Sequence, residues 1–255
     1  MSPATPSARR RDTARAAGSA APGSSPGTSR RGSEDAASSR AAARTEPRLA
    51  LCRPRTVETF CGDVYAEESL EGLMIRAAAW ADRDLHGLTL LDCTLQGAEL
   101  DGANLKGARI HDTELAEISE PSLAAPESSW CTASVRDSRI GAAVLHGGDW
   151  RSVLVTGCKI DFLNLRDTTL QDVVFENCSF RDVDLVNARA TRVAFRDCRA
   201  ETLDVRFAQF DAVDLRGLEF TRVDGLAALR GTVLDEQQLM ALAPVLARHL
   251  GIDVR

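Results

Sequence analysis

The sequence predicts an all-β solenoid of short extended segments that turn at tight corners and stack coil upon coil. Three periodic series predict it. A large apolar residue recurs at every fifth position, as in Leu95, Leu100, Leu105 and Ile110. A smaller residue stands two places before each, as in Cys93, Ala98, Ala103 and Ala108. A turn-former stands two places after many of them, at Gly87, Gly97, Gly102, Gly107, Gly147, Gly157 and Gly217, and elsewhere as Asp or Asn. A period of five buries no stripe on an α-helix, where each step moves about 140° round the axis, nor on a straight strand, whose faces alternate. A bend inside each quintet turns the large and the small residue inward together, and Gly, Asp and Asn tolerate the corner backbone this requires.

The chain has 255 residues, of which 44% are hydrophobic, enough for a sizeable core. Residues 1–48 are Ala, Arg, Ser, Pro and Gly with little to bury, so the ordering entropy predicts a disordered basic tail. Nine arginines stand there against four acids, which leaves 22 basic and 33 acidic residues in the remainder. The tail has no continuous apolar region of the kind a secretory signal needs, and its Arg, Ser and Ala bias is shared with organelle transit peptides; a solvated tail is the simpler reading. Residues 49–67 are expected to cover the first coil.

The fives run from Leu70 through Ile75, Trp80, Leu85 and Leu90 to Leu115, and resume at Trp130 as far as Phe220, with Ala190 and Ala200 as exceptions. Neither quintet centre nor small partner can bury much alone, so the stack of many units must form the core. The units "AELDG" (98–102) and "ANLKG" (103–107) resemble the consensus of the pentapeptide-repeat proteins, and the resemblance covers roughly residues 68–225. It implies a right-handed quadrilateral parallel β-helix with four quintets per coil. Cys158, Cys178 and Cys198 recur at twenty residues, one such coil apart. About eight coils at the ~4.8 Å spacing of stacked strands give a rod of about 38 Å.

Residues 116–129 disturb the pattern. Glu120 and Ala125 fall at centres, followed by Pro121 and Pro126. A carboxylate is costly to bury and Pro cannot donate to a ladder, so this section is expected to bulge outward or form a loop. Trp130 and Trp150 are read as core, because Ala125, Ser128, Gly147 and Gly148 supply compensating small residues. After residue 225 the period changes. Leu239, Leu242, Leu246 and Leu250 approximate one helical face, Asp235 can cap its start, Gly251 can stop it, and Pro244 is expected to kink or divide it. Residues 226–255 are thus read as a helical cap over the last coil or a homodimer contact.

The chemistry of the sequence points away from an enzyme. It has no Gly-rich phosphate loop, no convergent carboxylate pair and no nucleophile with a base and an orienting group. No cofactor and no metal site is expected. The three spaced cysteines belong to the small-residue series, where Cys packs as a small hydrophobe, and zinc prefers four tetrahedral ligands to three in a line. A sharper candidate is the outward column His111, Cys131 and Arg151, where a thiol between imidazole and guanidinium would be reactive. No apolar run approaches the ~18 residues of a membrane span, and seven scattered cysteines fit a reducing, cytoplasmic setting.

Three functional expectations remain. The first is a non-enzymatic, rigid scaffold for an unidentified protein partner, through a flat side, the disturbed section, or the Leu239, Leu242, Leu246 and Leu250 face. The second comes from the resemblance. Family members that protect DNA gyrase from quinolone drugs are acidic rods that imitate duplex DNA and pair through their C-terminal ends, which implies a gyrase- or topoisomerase-directed mimic. The solenoid itself is not expected to bind nucleic acid. Charge counts weaken the mimic. The four flat sides of residues 83–222 carry nets of about 0, +1, 0 and −1, and the acidic excess sits at corners such as Asp92, Asp112, Asp137 and Asp167. The third is the Cys131 thiol.

Overall fold

The computed structural model describes residues 45–253. The reading of residues 1–48 as a disordered tail lies outside that range for 1–44, but its last four residues are ordered against the solenoid, with Thr45 buried and the Arg48 N–H bonded to Asp172. The chain forms a parallel β-solenoid of about eight coils with a twenty-residue repeat. Every strand pairing is parallel, and the strands fall into a sheet of 14 and a sheet of six among the described residues.

Four stacks of quintet centres define four sides. The first runs Leu70, Leu90, Ile110, Trp130, Trp150, Leu170, Ala190 and Phe210. The second contains Ile75, Leu95, Leu115, Val135, Val155, Phe175 and Phe195. The third includes Glu120, Ile140, Ile160, Phe180, Ala200 and Phe220, and the fourth Leu145, Leu165 and Leu185. The small residues two places earlier are buried with them, including Cys93, Ala98, Val153, Cys158 and Val173. Leu95, Phe175 and Phe195 all lie in the core, with the Phe175 and Phe195 rings stacked at 4.9 Å. Stacking of like on like is what close packing permits when each coil repeats the last.

The corners explain the third series. Asp92, Asp112, Asp137, Asp167 and Asp197 all adopt a left-handed backbone, with φ between 46° and 55°. Asp reaches this region more readily than most non-glycine residues, so the carboxylates have a conformational reason to be there. Gly217 has a different role: a Cβ on it would lie 2.3 Å from the Phe195 carbonyl oxygen, so the residue is small because the neighbouring coil approaches closely.

Residues 116–129 do not bulge. Ser119–Ala124 is a strand paired in register with Arg139–Val144, and Ser129–Arg136 continues the stack. The two prolines cost little in this frame. Ser119–Ala124 is the edge of the six-stranded sheet, where a missing Pro121 donor breaks no sheet ladder. On the other side, Gly141 leaves room for the Pro121 carbonyl, which a Cβ would meet at 2.4 Å. Pro126 sits between Ala125 and Glu127, whose N–H groups supply the ladder bonds to Val144 and His146, while its own carbonyl accepts from Gly107. Glu120 does occupy a core column, 9% exposed, and its carboxylate makes no hydrogen bond or ion pair among the described residues.

Trp130 and Trp150 stack at 5.1 Å. The Trp130 Nε1–H donates to Ser128 Oγ at 2.8 Å, and that hydroxyl donates to the Ala125 carbonyl. Trp150 has Gly148 at the corresponding place, and its Nε1–H is buried without a partner. A side chain at 148 would collide with the Ser128 carbonyl oxygen, 2.6 Å from its Cβ.

The chain ends in one helix, α1 (Glu236–His249), which Pro244 does not divide. Asp235 and Gln238 form a capping box, and Gly251 and Ile252 donate back to Arg248 and Ala247 to close the C-terminus. Gln238 also donates to the Leu215 and Leu218 carbonyls, which fastens α1 to the last coil.

Replacing Glu120 with Leu continues the apolar column of Ile140 and Ile160 and is expected to add about 1 kcal/mol of stability, read as a higher urea midpoint; a lower midpoint would contradict this account of the coil.

Candidate interaction surfaces

A filled tube leaves only its outside for function. Each quintet presents outward the residues just before and after its centre. On the third side, Arg139, Lys159, Arg199 and Glu219 occupy the position before the centre and are exposed. On the second side, Ala116, Ser134, Val174 and Ala194 are outward positions yet buried. The cover comes from residues 45–57. They form an extended strap that lies along that side, and the chain then enters the strand Glu58–Phe60, which pairs with 73–75. The stretch 49–67 therefore divides. Its second half joins the first coil, with Val64 in the core, and its first half runs along the rod.

Across the fourth side, acids and arginines pair. Arg166 Nε meets Asp184 at 2.6 Å, and Arg206 meets Asp204 at 2.6 Å. On the second side Arg216 meets Asp214 at 2.6 Å, and at the corner beside it Arg192 grips Asp172 through Nε and Nη2, both at 2.6 Å. Burial by itself would raise these carboxyls; the guanidinium bonds reverse it and hold Asp172, Asp204 and Asp214 below the usual carboxylate range. Corner acids are also engaged: Glu127 with Lys106, and Asp137 with Arg136. These pairs set opposite charges side by side on the second and fourth sides.

The register brings His111, Cys131 and Arg151 side by side on consecutive coils. Their reactive groups do not converge. Arg151 turns to Asp149 at 3.2 Å, and the half-buried Cys131 Sγ contacts Thr132 Oγ1 at 3.9 Å. The stacked thiols of Cys158, Cys178 and Cys198 are each directed to the carbonyl two residues earlier, at 3.2–3.3 Å, and to one on the preceding coil. The Cys158 and Cys198 thiols on either side, together with burial, push the Cys178 thiol up. Burial does the same to Cys93. Among the described residues, no group of three or more His, Cys, Asp or Glu side chains could hold a metal ion.

The four leucines of α1 separate into two pairs. Leu242 is buried and Leu246 packs against the core, whereas Leu239 and Leu250 are 53% and 70% exposed. Met240, which the sequence reading passed over, is 74% exposed on the adjoining arc. Its position one helical step from Leu239 was the available signal.

With the coil geometry in place, a family profile described as pentapeptide repeats matches in eight copies over residues 84–117 and 158–199. The chain carries pentapeptide repeats over those residues. Among solved structures, it is similar to QnrB1, a plasmid-mediated fluoroquinolone resistance protein. A trypsin-treated form is 18% identical, with 83% of this chain and 100% of that one covered at a TM-score of 0.30. The full-length QnrB1 structure is 19% identical, covering 76% and 95% at 0.23. HetL, a pentapeptide-repeat protein involved in heterocyst differentiation regulation from the cyanobacterium Nostoc, is 12% identical, covering 71% and 92% at 0.25. Curated protein sequences provide no match. No helix among the described residues is long and apolar enough to cross a membrane.

Two outcomes are expected. With a thiol-specific chromogenic reagent, the exposed Cys61 reacts first, the half-buried Cys131 follows, Cys52 lags because burial pushes its thiol up, and Cys93, Cys158, Cys178 and Cys198 react only on unfolding; a burst at Cys131 would restore the reactive column. For pH, the folded values of Asp172, Asp204 and Asp214 lie below their unfolded ones, so the stability they contribute is complete above about pH 4–5 and is lost as pH falls through the folded values. A thermal midpoint level from pH 8 to 5 and falling below about pH 4 is the expected circular-dichroism profile.

Proposed function

We propose that this protein is a non-enzymatic, cytoplasmic scaffold that takes a protein partner, or a second copy of itself, on the outward face of α1. The observation that carries this reading is the exposure of Leu239, Met240 and Leu250 on a helix whose inner residue Leu242 already closes the last coil. An end cap needs only its inner face apolar. An exposed apolar arc on a rigid, well-capped helix is a contact surface of the helix-in-groove or helix-on-helix kind. The flat sides offer no enclosed, water-excluding cleft for chemistry, and several acids of the second and fourth sides are paired with arginines.

The gyrase-directed reading has the family resemblance in its favour and the pairing of acids with arginines against it. A mimic of duplex DNA would need a continuous negative field to meet a basic groove.

One comparison separates these readings. The double variant Leu239→Asp/Leu250→Asp should lose partner capture from source cells, or lose self-association in light scattering, at least tenfold, with an unchanged far-ultraviolet spectrum. DNA gyrase supercoiling with and without a quinolone should be indifferent to the protein. Equal capture by wild type and variant would sink the helix-face reading, and protection or inhibition of gyrase would install the alternative.

A further inference from the structure

Glu120 is an acid that the fold does not use. It stands at a quintet centre in the column of Ile140 and Ile160, where an apolar residue would pack better. Among the described residues, the only buried side-chain polar atoms without a partner are Ser134 Oγ and Trp150 Nε1. The Glu120 carboxylate makes no hydrogen bond or ion pair and is not one of them, so its oxygens reach solvent although the residue is only 9% exposed. A side chain kept at a core position against stability, with its charge at the surface, has the pattern of a recognition group.

The surface it reaches is a cleft of about 400 Å³ on the third side, lined by Glu120, Pro121, Arg139, Gly141, Lys159 and Asp161. Gly141 has no side chain, which keeps the floor low. Arg139 lies across from Ser119, next to Glu120, and Lys159 lies across from Arg139, so acid, base and base occupy successive coils. Both basic residues are exposed, and neither side chain makes a hydrogen bond or ion pair among the described residues. The remaining acid, Asp161, is taken by Arg181 at 2.9 Å. The cleft thus holds one free carboxylate and two free cations, adjacent but not joined.

We propose that this cleft binds a free α-amino acid, with its ammonium on Glu120 and its carboxylate between Arg139 and Lys159. The ligand must bring a cation to the acid and an anion to bases that begin one coil step away, about 4.8 Å. Opposite charges that close together belong to an ammonium and a carboxylate on one carbon. A plain anion would meet the two cations but face the unpaired Glu120, and a plain cation would meet Glu120 but face Arg139 and Lys159. Charge-assisted bonds at both ends supply most of the affinity. The ligand's side chain lies over the low floor at Gly141, so the site reads the α-amino acid group more than the side chain. This site goes beyond the scaffold reading, since it takes a small molecule, and it is separate from the α1 face.

The test titrates the full chain with each of the proteinogenic α-amino acids, following the thermal midpoint and then, for those that raise it, isothermal titration calorimetry. Saturable binding by one or more of them is expected. Their N-acetyl and α-carboxamide derivatives, each lacking one charge, should bind roughly tenfold or more weakly, and so should a dipeptide, whose charges stand farther apart. Glu120→Gln and the double variant Arg139→Gln/Lys159→Gln should each weaken binding by the same factor with an unchanged circular-dichroism spectrum. Glu120→Leu, which suits the core column, should fold with a higher urea midpoint and bind none of them, so that loss of binding is not loss of fold. No saturable binding by any free α-amino acid overturns the proposal. Equal binding by Glu120→Gln does so too, as does equal binding of the N-acetyl derivative. None of these results bears on capture through Leu239 and Leu250.

Discussion

The whole molecule depends on coil-to-coil stacking of two inward residues from each quintet. No quintet contains enough apolar surface to order itself against the entropy of the chain, so each exists because a copy lies above and below it. The backbone ladder and the core columns are one constraint. A bond such as Leu105 N–H to the Ala124 carbonyl fixes the spacing at which Leu165 meets Leu145 and Leu185. Three consequences follow. The interior is filled, the corners must accept left-handed backbone, and the outward residues are released from packing.

Size exchange is how the constraint tolerates variation. Two indoles stack at 130 and 150 because Ser128 and Gly148 stand where a larger residue would collide, and the exchange leaves the Trp150 donor unpaired. Ala190 and Ala200 take large-residue positions and remain buried. Glu120 marks the limit of this tolerance. A regular coil forms round it because its neighbours' ladder bonds persist, and the free energy of those bonds outweighs one poorly placed side chain.

Because the tube is filled, what distinguishes one part of the rod from another lies on its outside, and the two ends of the described chain differ most from the repeat. One is α1, whose inner leucine completes the core while its outer residues face away from it. The other is the strap, which ties Arg196 to Gly72 across most of the rod. Nearest-neighbour stacking gives a solenoid only local coupling, whereas a strap that touches many coils links distant ones. One flat side is thus covered by the chain's own strap, and the closing helix keeps an exposed apolar arc.

How much of this could be read before folding is clearest at particular residues. The repeat at Leu95, the corner Asp137 and the caps Asp235 and Gly251 each act through neighbours at a fixed spacing along the chain, so the one-dimensional pattern contains their role. The rejection of a loop at 116–129 was not legible, because it depends on Pro121 being at a sheet edge and opposite Gly141, twenty residues away. Pro244 likewise stayed inside a single helix. The strap was hidden more deeply. Arg48 meets Asp172 across 124 residues of sequence, and no periodicity relates them. Sequence by itself determined the coil, since coil formation is local and repeated; only the tertiary structure decided which side is covered, because that contact is made once and between parts of the chain that share no pattern.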